Sequence, residues 1–199
     1  GSIPVVDPEL SGDFATLMEW ADEFRELLIK TNADTPHDTA VAVKFGAEGI
    51  GLCRTEHMFF EASRIKAVRE MIVAKNTPDR EKALAKIEPY QQKDFEEKFK
   101  VLEGRPMIIR LLDPPLHEFL PKEEEDIIGV AKEINVTVEQ LKQTISSLHE
   151  FNPMLGFRGC RLAVVYPEIG RMQARAIFKA AMNVKGSKPW IEVPLTGKV

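Results

Sequence analysis

The stretch GAEGIGLCRTEHMFF at residues 46–60 decides the fold of this chain. Residues 50–53 within it are a short apolar run that begins after Gly49 and contains Gly51, which predicts a buried strand that places Arg54 at its C-terminal end. The preceding segment predicts a helix, because Thr35-Pro36 supplies a capping hydroxyl and a proline at the first helical position. Gly46, the first residue of the quoted stretch, can adopt the left-handed backbone conformation that ends such a helix. A helix followed directly by a buried strand is typical of a parallel sheet with alternating helices.

The same alternation continues on both sides of this stretch. Residues 27–35, LLIKTNADT, are compatible with a short strand, and residues 106–112, PMIIRLL, predict a second buried strand. The latter ends on Asp113-Pro114-Pro115, which cannot continue a ladder of hydrogen bonds. We therefore expect an α/β domain with a parallel sheet. The further predicted elements are a last strand at 190–195, a loop at 152–162, and helices at 14–28, 61–75, 78–102 (with Thr77 as its cap) and from Pro167 to near Gly186.

Residues 122–150 differ in character from these alternating segments. They are amphipathic and charged, with a break at Asn135 and a capping-box pattern that begins at Thr137. We interpret this segment as a two-helix insertion. The chain then divides into an extended N-terminal segment with a helix (1–30) and an α/β region (31–199) that contains the insertion.

Composition excludes several classes of protein. The chain has 199 residues, of which 44% are apolar, so it is not a disordered tail and has enough apolar side chains for a core. Its 27 basic and 31 acidic residues give a net charge of −4, which argues against nucleic acid or a membrane surface as a partner. Two cysteines are too few for a disulfide scaffold, and no apolar run approaches the roughly 18 residues of a membrane span. We expect a protein of the cytoplasm or of another reducing compartment.

Three arginines stand near the ends of apolar or glycine-rich runs and are the candidate binding residues. Arg54 follows the first strand, Arg110 lies near the end of the second, and Arg158 follows a Gly-rich turn. In a parallel α/β barrel the C-terminal strand ends share one mouth, where guanidinium groups can bind a small anion that bears phosphate or carboxylate. The alternative is that each arginine pairs with a nearby acid, for which the candidates are Glu56, Asp113 and Glu118.

The other reactive residue types are weaker candidates. Asp113 could orient an arginine, although an aspartate before two prolines is also typical of a structural turn. Cys53 and Cys160 lie near arginines but in apolar surroundings, which favours buried and inert thiols. The four histidines have no spacing typical of a metal site, and we assign no metal ligand. These residues leave an anion site and a set of structural ion pairs as open alternatives.

Three motifs carry a resemblance to a known family. The stretch at 46–60 resembles the signature of phosphoenolpyruvate (PEP)-utilising enzymes. RLLDPPLHEFLP (110–121) and NPMLGFRGCRLAVVYPEI (152–169) resemble the corresponding blocks of the pyruvate, phosphate dikinases within that family. The similarity extends from about residue 3 to residue 195, and the motifs are long and specific.

The resemblance implies a fold and a set of functional residues. The implied fold is an α/β barrel that binds PEP and pyruvate at the C-terminal ends of its strands. Arg54 and Arg110 match catalytic arginines, and with Arg158 they match the arginines that bind the phosphoryl group and stabilise the pyruvate enolate. Asp113 matches a nearby substrate-binding aspartate. The implied partner is a separate swivelling domain whose phosphohistidine exchanges its phosphoryl group with pyruvate.

Several blocks of the family are absent from these 199 residues. The resemblance implies Mg²⁺ in the complete enzyme, held by a glutamate and an aspartate on later strands, but that motif is missing here. The proton-donating cysteine, the phosphohistidine and the nucleotide-binding motifs are missing as well. A complete (β/α)8 barrel usually needs about 250 residues. We therefore expect about the first half of a TIM-like (β/α)8 barrel with a helical insertion, no cofactor in this fragment, and no dikinase turnover by it.

Other interpretations stay open beside this one. A half-barrel exposes sheet edges, so the chain could be a non-catalytic association module that forms a homodimer. It could also be a PEP-binding regulator, or a fragment of a PEP synthase, which shares the GAEGIGL motif less closely.

Overall fold

The computed structural model describes residues 3–6, 9–149 and 151–197, and a parallel sheet of four strands lies at its centre. Each strand pairs with the next one along the chain. The predicted α/β class is therefore confirmed, and the sheet has the strand order of a partial (β/α)8 barrel. The strands are β1 (Thr31–Asn32), β2 (Ile50–Arg54), β3 (Pro106–Arg110) and β4 (Lys188–Glu192).

The described part of the chain has eight α-helices, of which the first precedes the sheet and the others follow its first strand. The longest of them, α4, packs against α2, α3 and α8. Parallel strands need such crossover connections, and the helices cover the outer face of the sheet. The helices are α1 (Gly12–Phe24), α2 (Pro36–Lys44), α3 (Ala62–Val73), α4 (Thr77–Leu102), α5 (Glu124–Glu133), α6 (Val138–Leu148), α7 (Cys160–Val165) and α8 (Pro167–Asn183).

Local capping signals fix several helix ends. Thr35 caps α2 as predicted, because its Oγ1 accepts a hydrogen bond from the Asp38 amide and the Asp38 carboxylate accepts one from the Thr35 amide. Thr137 caps α6 with the same reciprocal pattern, which confirms the predicted capping box. The predicted cap of α4 is wrong by one residue. Asn76, not Thr77, is the cap, since its side-chain oxygen accepts a backbone N–H three residues on at 2.9 Å.

Several other predicted boundaries are wrong by a few residues. The helix predicted at 14–28 ends at Phe24, because the backbone of the next residue is extended. The strands predicted to end at Leu112 and Leu195 both end earlier, at the bounds given above. The end of the predicted loop at 152–162 is the start of α7.

The hydrophobic core lies between the sheet and the helices that cover it. The strands bury Ile50, Met107 and Ile109, and α4 buries Phe95 and Phe99 against them. Burial of each such side chain stabilises the fold by about 1.5–3 kcal/mol, so the strand ends are held on a rigid layer. The first helix, α1, buries none of its residues.

No helix among the described residues is long and apolar enough to cross a membrane. The division of the chain at residues 30 and 31 stays a prediction. Of the predicted segments 1–30 and 31–199, residues 1–2, 7–8, 150 and 198–199 lie outside the described residues.

Candidate anion-binding site

Two of the predicted arginines lie at the C-terminal edge of the sheet. Arg54 is the last residue of β2 and Arg110 is the last residue of β3, and the two are register partners. On its other side Arg110 is in register with Glu192, the last residue of β4. Because the strands are parallel, all three residues lie at the same edge, which is the side where (β/α)8 barrels bind their ligands.

Arg54 is held by Asp34, which follows β1. Arg54 Nε donates a hydrogen bond to Asp34 Oδ2 at 2.9 Å, and the Arg54 backbone N–H donates to Oδ1 at 2.8 Å. Burial raises the pKa of Asp34, but the hydrogen bonds from Arg54 outweigh it and leave that pKa below its ordinary value. The hydrogen bond to Asp34 in turn raises the pKa of Arg54. The ionised carboxylate therefore orients the guanidinium group.

Arg110 is held by two buried acids. Its Nη2 donates to Glu56 Oε1, and its Nη1 lies 3.2 Å from Asp113 Oδ2. Arg110 Nε and Glu56 Oε2 are buried and have no hydrogen-bond partner among the described residues. Buried polar atoms are usually satisfied, so this donor and acceptor are unused bonding capacity at the centre of the site.

Arg158 reaches the same carboxylate from the segment before α7. Its Nη2 donates to Asp113 Oδ2 at 2.6 Å, so Arg110 and Arg158 meet at one oxygen atom. The next residue, Gly159, has a φ of 57°, and a Cβ there would lie 3.0 Å from the carbonyl oxygen of Pro194. Glycine is required at this position, and it lets the segment that carries Arg158 pack closely against the chain after β4.

The sequence left two alternatives, arginines that converge on one site and arginines that pair with acids, and both arrangements occur in this structure. The structure brings Arg110 and Arg158 together at Asp113, whereas Arg54 is related to Arg110 through strand register only. Glu56 and Asp113 are arginine partners, as the pairing alternative expected, and Glu118 makes no ion pair among the described residues. The partner of Arg54 is Asp34, which sequence reasoning missed. Its one sequence signal is its place in the polar loop after β1.

The two cysteines have different environments. Cys53 is buried, as expected, and its Sγ lies 3.2 Å from Nζ of the buried Lys98. Burial raises the pKa of the Cys53 thiol, so it is protonated at neutral pH. Cys160 is only partly buried and its Sγ contacts the carbonyl oxygen of Leu195 at 3.0 Å, so the prediction that it is buried is wrong.

The acids of the site do not form a metal centre. Within the described ranges, no group of three His, Cys, Asp or Glu side chains could hold a metal ion. Asp34, Glu56 and Asp113 are each ion-paired with an arginine, and the guanidinium cation beside each carboxylate disfavours a divalent cation at the same group. The residues present do not fit the Mg²⁺ that the resemblance implies, and we assign no step to a metal at these acids.

Known proteins match this chain over nearly its whole length. The family described as PEP-utilising enzyme, PEP-binding domain, matches residues 8–199. The pyruvate, phosphate dikinase of Rhizobium meliloti is 56% identical over 202 residues, which cover 99% of this chain and 22% of that relative. The enzyme of Clostridium symbiosum is 53% identical over 100% of this chain and 23% of its own length. The chloroplastic pyruvate, phosphate dikinase 1 of Arabidopsis thaliana is 52% identical over 99% of this chain and 21% of its own length.

The chain therefore spans less than a quarter of the length of these relatives. The match nevertheless includes every motif on which the resemblance rests, and it confirms that resemblance. The chain belongs to the family of PEP-utilising enzymes, in which it is similar to the pyruvate, phosphate dikinases.

Proposed function

We propose that the arginines at the C-terminal edge of the sheet bind PEP and pyruvate as part of a pyruvate, phosphate dikinase. The observation that supports this best is the meeting of Arg110 and Arg158 at Asp113, next to Arg54 in the register of the sheet. The proposed reaction interconverts ATP, phosphate and pyruvate with AMP, diphosphate and PEP. Its phosphoryl group passes through a phosphohistidine on a separate swivelling domain.

The chemistry of phosphoryl transfer suits these side chains. Catalysis of this reaction depends mainly on positioning and on neutralising the negative charge of the transferred group. In the proposal, Arg54 and Arg110 are catalytic because they neutralise charge on the phosphoryl group and on the enolate oxygen. Arg158 and Asp113 hold the substrate and the Arg110 side chain in place.

The acids of the site determine how the anion is recognised. Three guanidinium groups are balanced by the carboxylates of Asp34, Glu56 and Asp113, so the formal charge of the cluster is close to zero. Long-range attraction of an anion is therefore small, and recognition depends on short hydrogen bonds to charged groups. Each such bond contributes about 1.5–3 kcal/mol.

Calorimetric titration with PEP tests the proposal. We expect saturable binding by the wild-type chain and an increase in Kd of about 10- to 100-fold in Arg158→Gln, since one charged hydrogen bond is lost. Arg161→Gln is the matched control, because Arg161 lies three residues further on, in α7, and donates to the backbone carbonyl of Leu155. Absence of saturable heat with the wild type, or equal losses in both variants, would contradict the proposal.

The proposal assigns the phosphohistidine, the nucleotide site and the Mg²⁺ ligands to other parts of a dikinase. Residues 1–199 alone should then form no PEP from ATP, phosphate and pyruvate. A coupled assay of PEP formation measures this directly. Steady turnover by this polypeptide alone would overturn that division of roles.

A second candidate function, association through the sheet edge, is favoured by β4. This strand pairs with β3 on one side only within the described sheet, and Trp190 is 54% exposed on it, with Lys30 Nζ 3.9 Å from its ring centroid. Unpaired strand edges with exposed apolar side chains favour pairing with another strand. Sedimentation velocity over a range of concentrations should show a dimer that Trp190→Lys weakens. A monomer at every concentration would exclude a homodimer.

A further inference from the structure

Two buried polar side chains next to the site have no part in the function proposed above. Thr55, directly after Arg54, is 0% exposed, and Gln173, in α8, is 1% exposed. Burying a hydroxyl or an amide is unfavourable unless its hydrogen bonds are satisfied, so such residues in a core usually have a specific geometric role.

The hydrogen bonds of these side chains link both strand ends. Thr55 Oγ1 donates to the backbone carbonyl oxygen of Arg110 at 2.9 Å, and it accepts a hydrogen bond from Gln173 Nε2 at 3.0 Å. Gln173 Oε1 accepts the backbone N–H of Leu112 at 2.9 Å. We call this set of bonds the Thr55–Gln173 clamp. Gln173 Nε2 faces an acceptor and Gln173 Oε1 faces a donor, so only one of the two orientations of its side-chain amide makes both hydrogen bonds.

The clamp binds the backbone on either side of Leu111, directly after the Cα that carries the Arg110 side chain. β3 ends at Arg110, so the carbonyl of Arg110 and the amide of Leu112 lie where the regular ladder stops. The clamp supplies hydrogen bonds at this point. One end of it is the residue that follows Arg54, and the other is the residue that precedes Asp113.

We propose that Thr55 and Gln173 are positioning residues that set the spacing between the Arg54 and Arg110 guanidinium groups. This inference rests on the proposed function of those arginines. Neither side chain needs to touch the ligand, because each acts on the backbone that carries an arginine. A ligand with two anionic groups, such as PEP, depends on that spacing more than inorganic phosphate does. The clamp therefore favours binding of a ligand with two anionic groups over binding of inorganic phosphate.

Gln91 provides a matched control for Gln173. It is also a buried glutamine, but it lies in α4, and its Nε2 contacts Met58 Sδ at 3.6 Å. Gln91→Met and Gln173→Met remove the same amide from the core. A purely structural role of Gln173 would make the two variants alike in ligand binding.

The experiment compares Thr55→Val, Thr55→Ser, Gln173→Met and Gln91→Met by melting temperature and by calorimetric titration with PEP and with inorganic phosphate. We expect Thr55→Val and Gln173→Met to raise the Kd for PEP about 10- to 100-fold, which corresponds to the loss of one charged hydrogen bond from a displaced guanidinium group. The Kd for phosphate should change several-fold less. Thr55→Ser keeps the hydroxyl and should bind PEP like the wild type, as should Gln91→Met.

Exchange of the Leu112 amide with solvent deuterium gives a readout that does not require a ligand. Gln173→Met should exchange this amide at least about tenfold faster than Gln91→Met, because only the first variant removes its hydrogen-bond acceptor. If the wild type binds neither anion, the proposed function fails, and the exchange rate of the Leu112 amide is then the test of the clamp. If Thr55→Val does not fold, the titrations of Thr55→Ser and Gln173→Met test the inference in its place. Unchanged PEP-to-phosphate selectivity in a folded Gln173→Met, or unchanged exchange at Leu112, would overturn the inference.

Discussion

Replacing Arg110 by glutamine should destabilise the chain by an amount that the structure sets. The change leaves Glu56, which is buried, without its guanidinium partner, whereas Asp113 keeps Arg158. Removing one partner of a buried ion pair costs about 3–5 kcal/mol. The Arg110 side chain is 20% exposed and only one of its two acids loses its partner, so we expect the lower end, about 3 kcal/mol. For a chain of this size that lowers Tm by about 6–12 °C.

A second substitution separates this stability effect from ligand binding. The double variant Arg110→Gln/Glu56→Gln has no unpaired buried carboxylate, so it should recover most of the lost stability and still bind PEP weakly. Urea unfolding followed by circular dichroism measures the stability, and calorimetry measures the binding. Arg105→Gln is the control, because its pair with Glu103 is exposed and should contribute less than about 1 kcal/mol. A single variant as stable as the wild type, or a double variant no more stable than the single one, would refute the reasoning.

Three further predictions concern the scaffold and the pH dependence of stability. Gly159→Ala should lower the free energy of unfolding by about 1–3 kcal/mol, because the φ of Gly159 is 57° and the new Cβ would meet the Pro194 carbonyl oxygen. Gly129→Ala is the control, since Gly129 is exposed in a helix and the change should be neutral or stabilising. Thermal unfolding measures both variants. Asn76→Ala should cost about 1 kcal/mol in urea unfolding, and an equal loss in Thr77→Ala would contradict the assigned cap. The pKa of Asp34 is lowered below 3.8, so its contribution is present above that pH and is lost as the pH falls through the folded value. The free energy of unfolding of Asp34→Asn should therefore fall less steeply than that of the wild type as the pH is lowered into the acid range. An unchanged slope of this free energy against pH would contradict the pairing of Asp34 with Arg54.

β2 and β3 are predictable from the sequence for a physical reason. Each is a short apolar run that begins beside a glycine or a proline, which leaves few alternatives to a buried strand. Once both strands are parallel, Arg54 and Arg110 must lie at one edge of the sheet, and the structure has them in register. Arg158 is different, because its approach to Asp113 depends on a glycine-rich loop whose path has no periodic signal.

Asp34 and Gln173 show where local patterns are insufficient. Asp34 follows β1, a strand of two residues that is too short to give an alternating pattern. Gln173 binds Thr55 across 118 residues of sequence, and this contact depends on how α8 packs against α4. A glutamine in an amphipathic helix gives no sign of such a partner. The choice between Asn76 and Thr77 as a helix cap is similar, because both residue types can cap and backbone geometry selects one.

Phosphorus NMR of PEP in the presence of this chain tests the central claim most directly. The claim is that the arginines at the C-terminal edge of the sheet bind the phosphoryl group. Addition of the wild-type chain should shift or broaden the phosphoryl resonance in a saturable way. The Arg110→Gln/Glu56→Gln variant should have an effect at least about tenfold weaker, which corresponds to the loss of one charged hydrogen bond. An unchanged resonance with the wild type, or an equal effect of both proteins, would contradict the account.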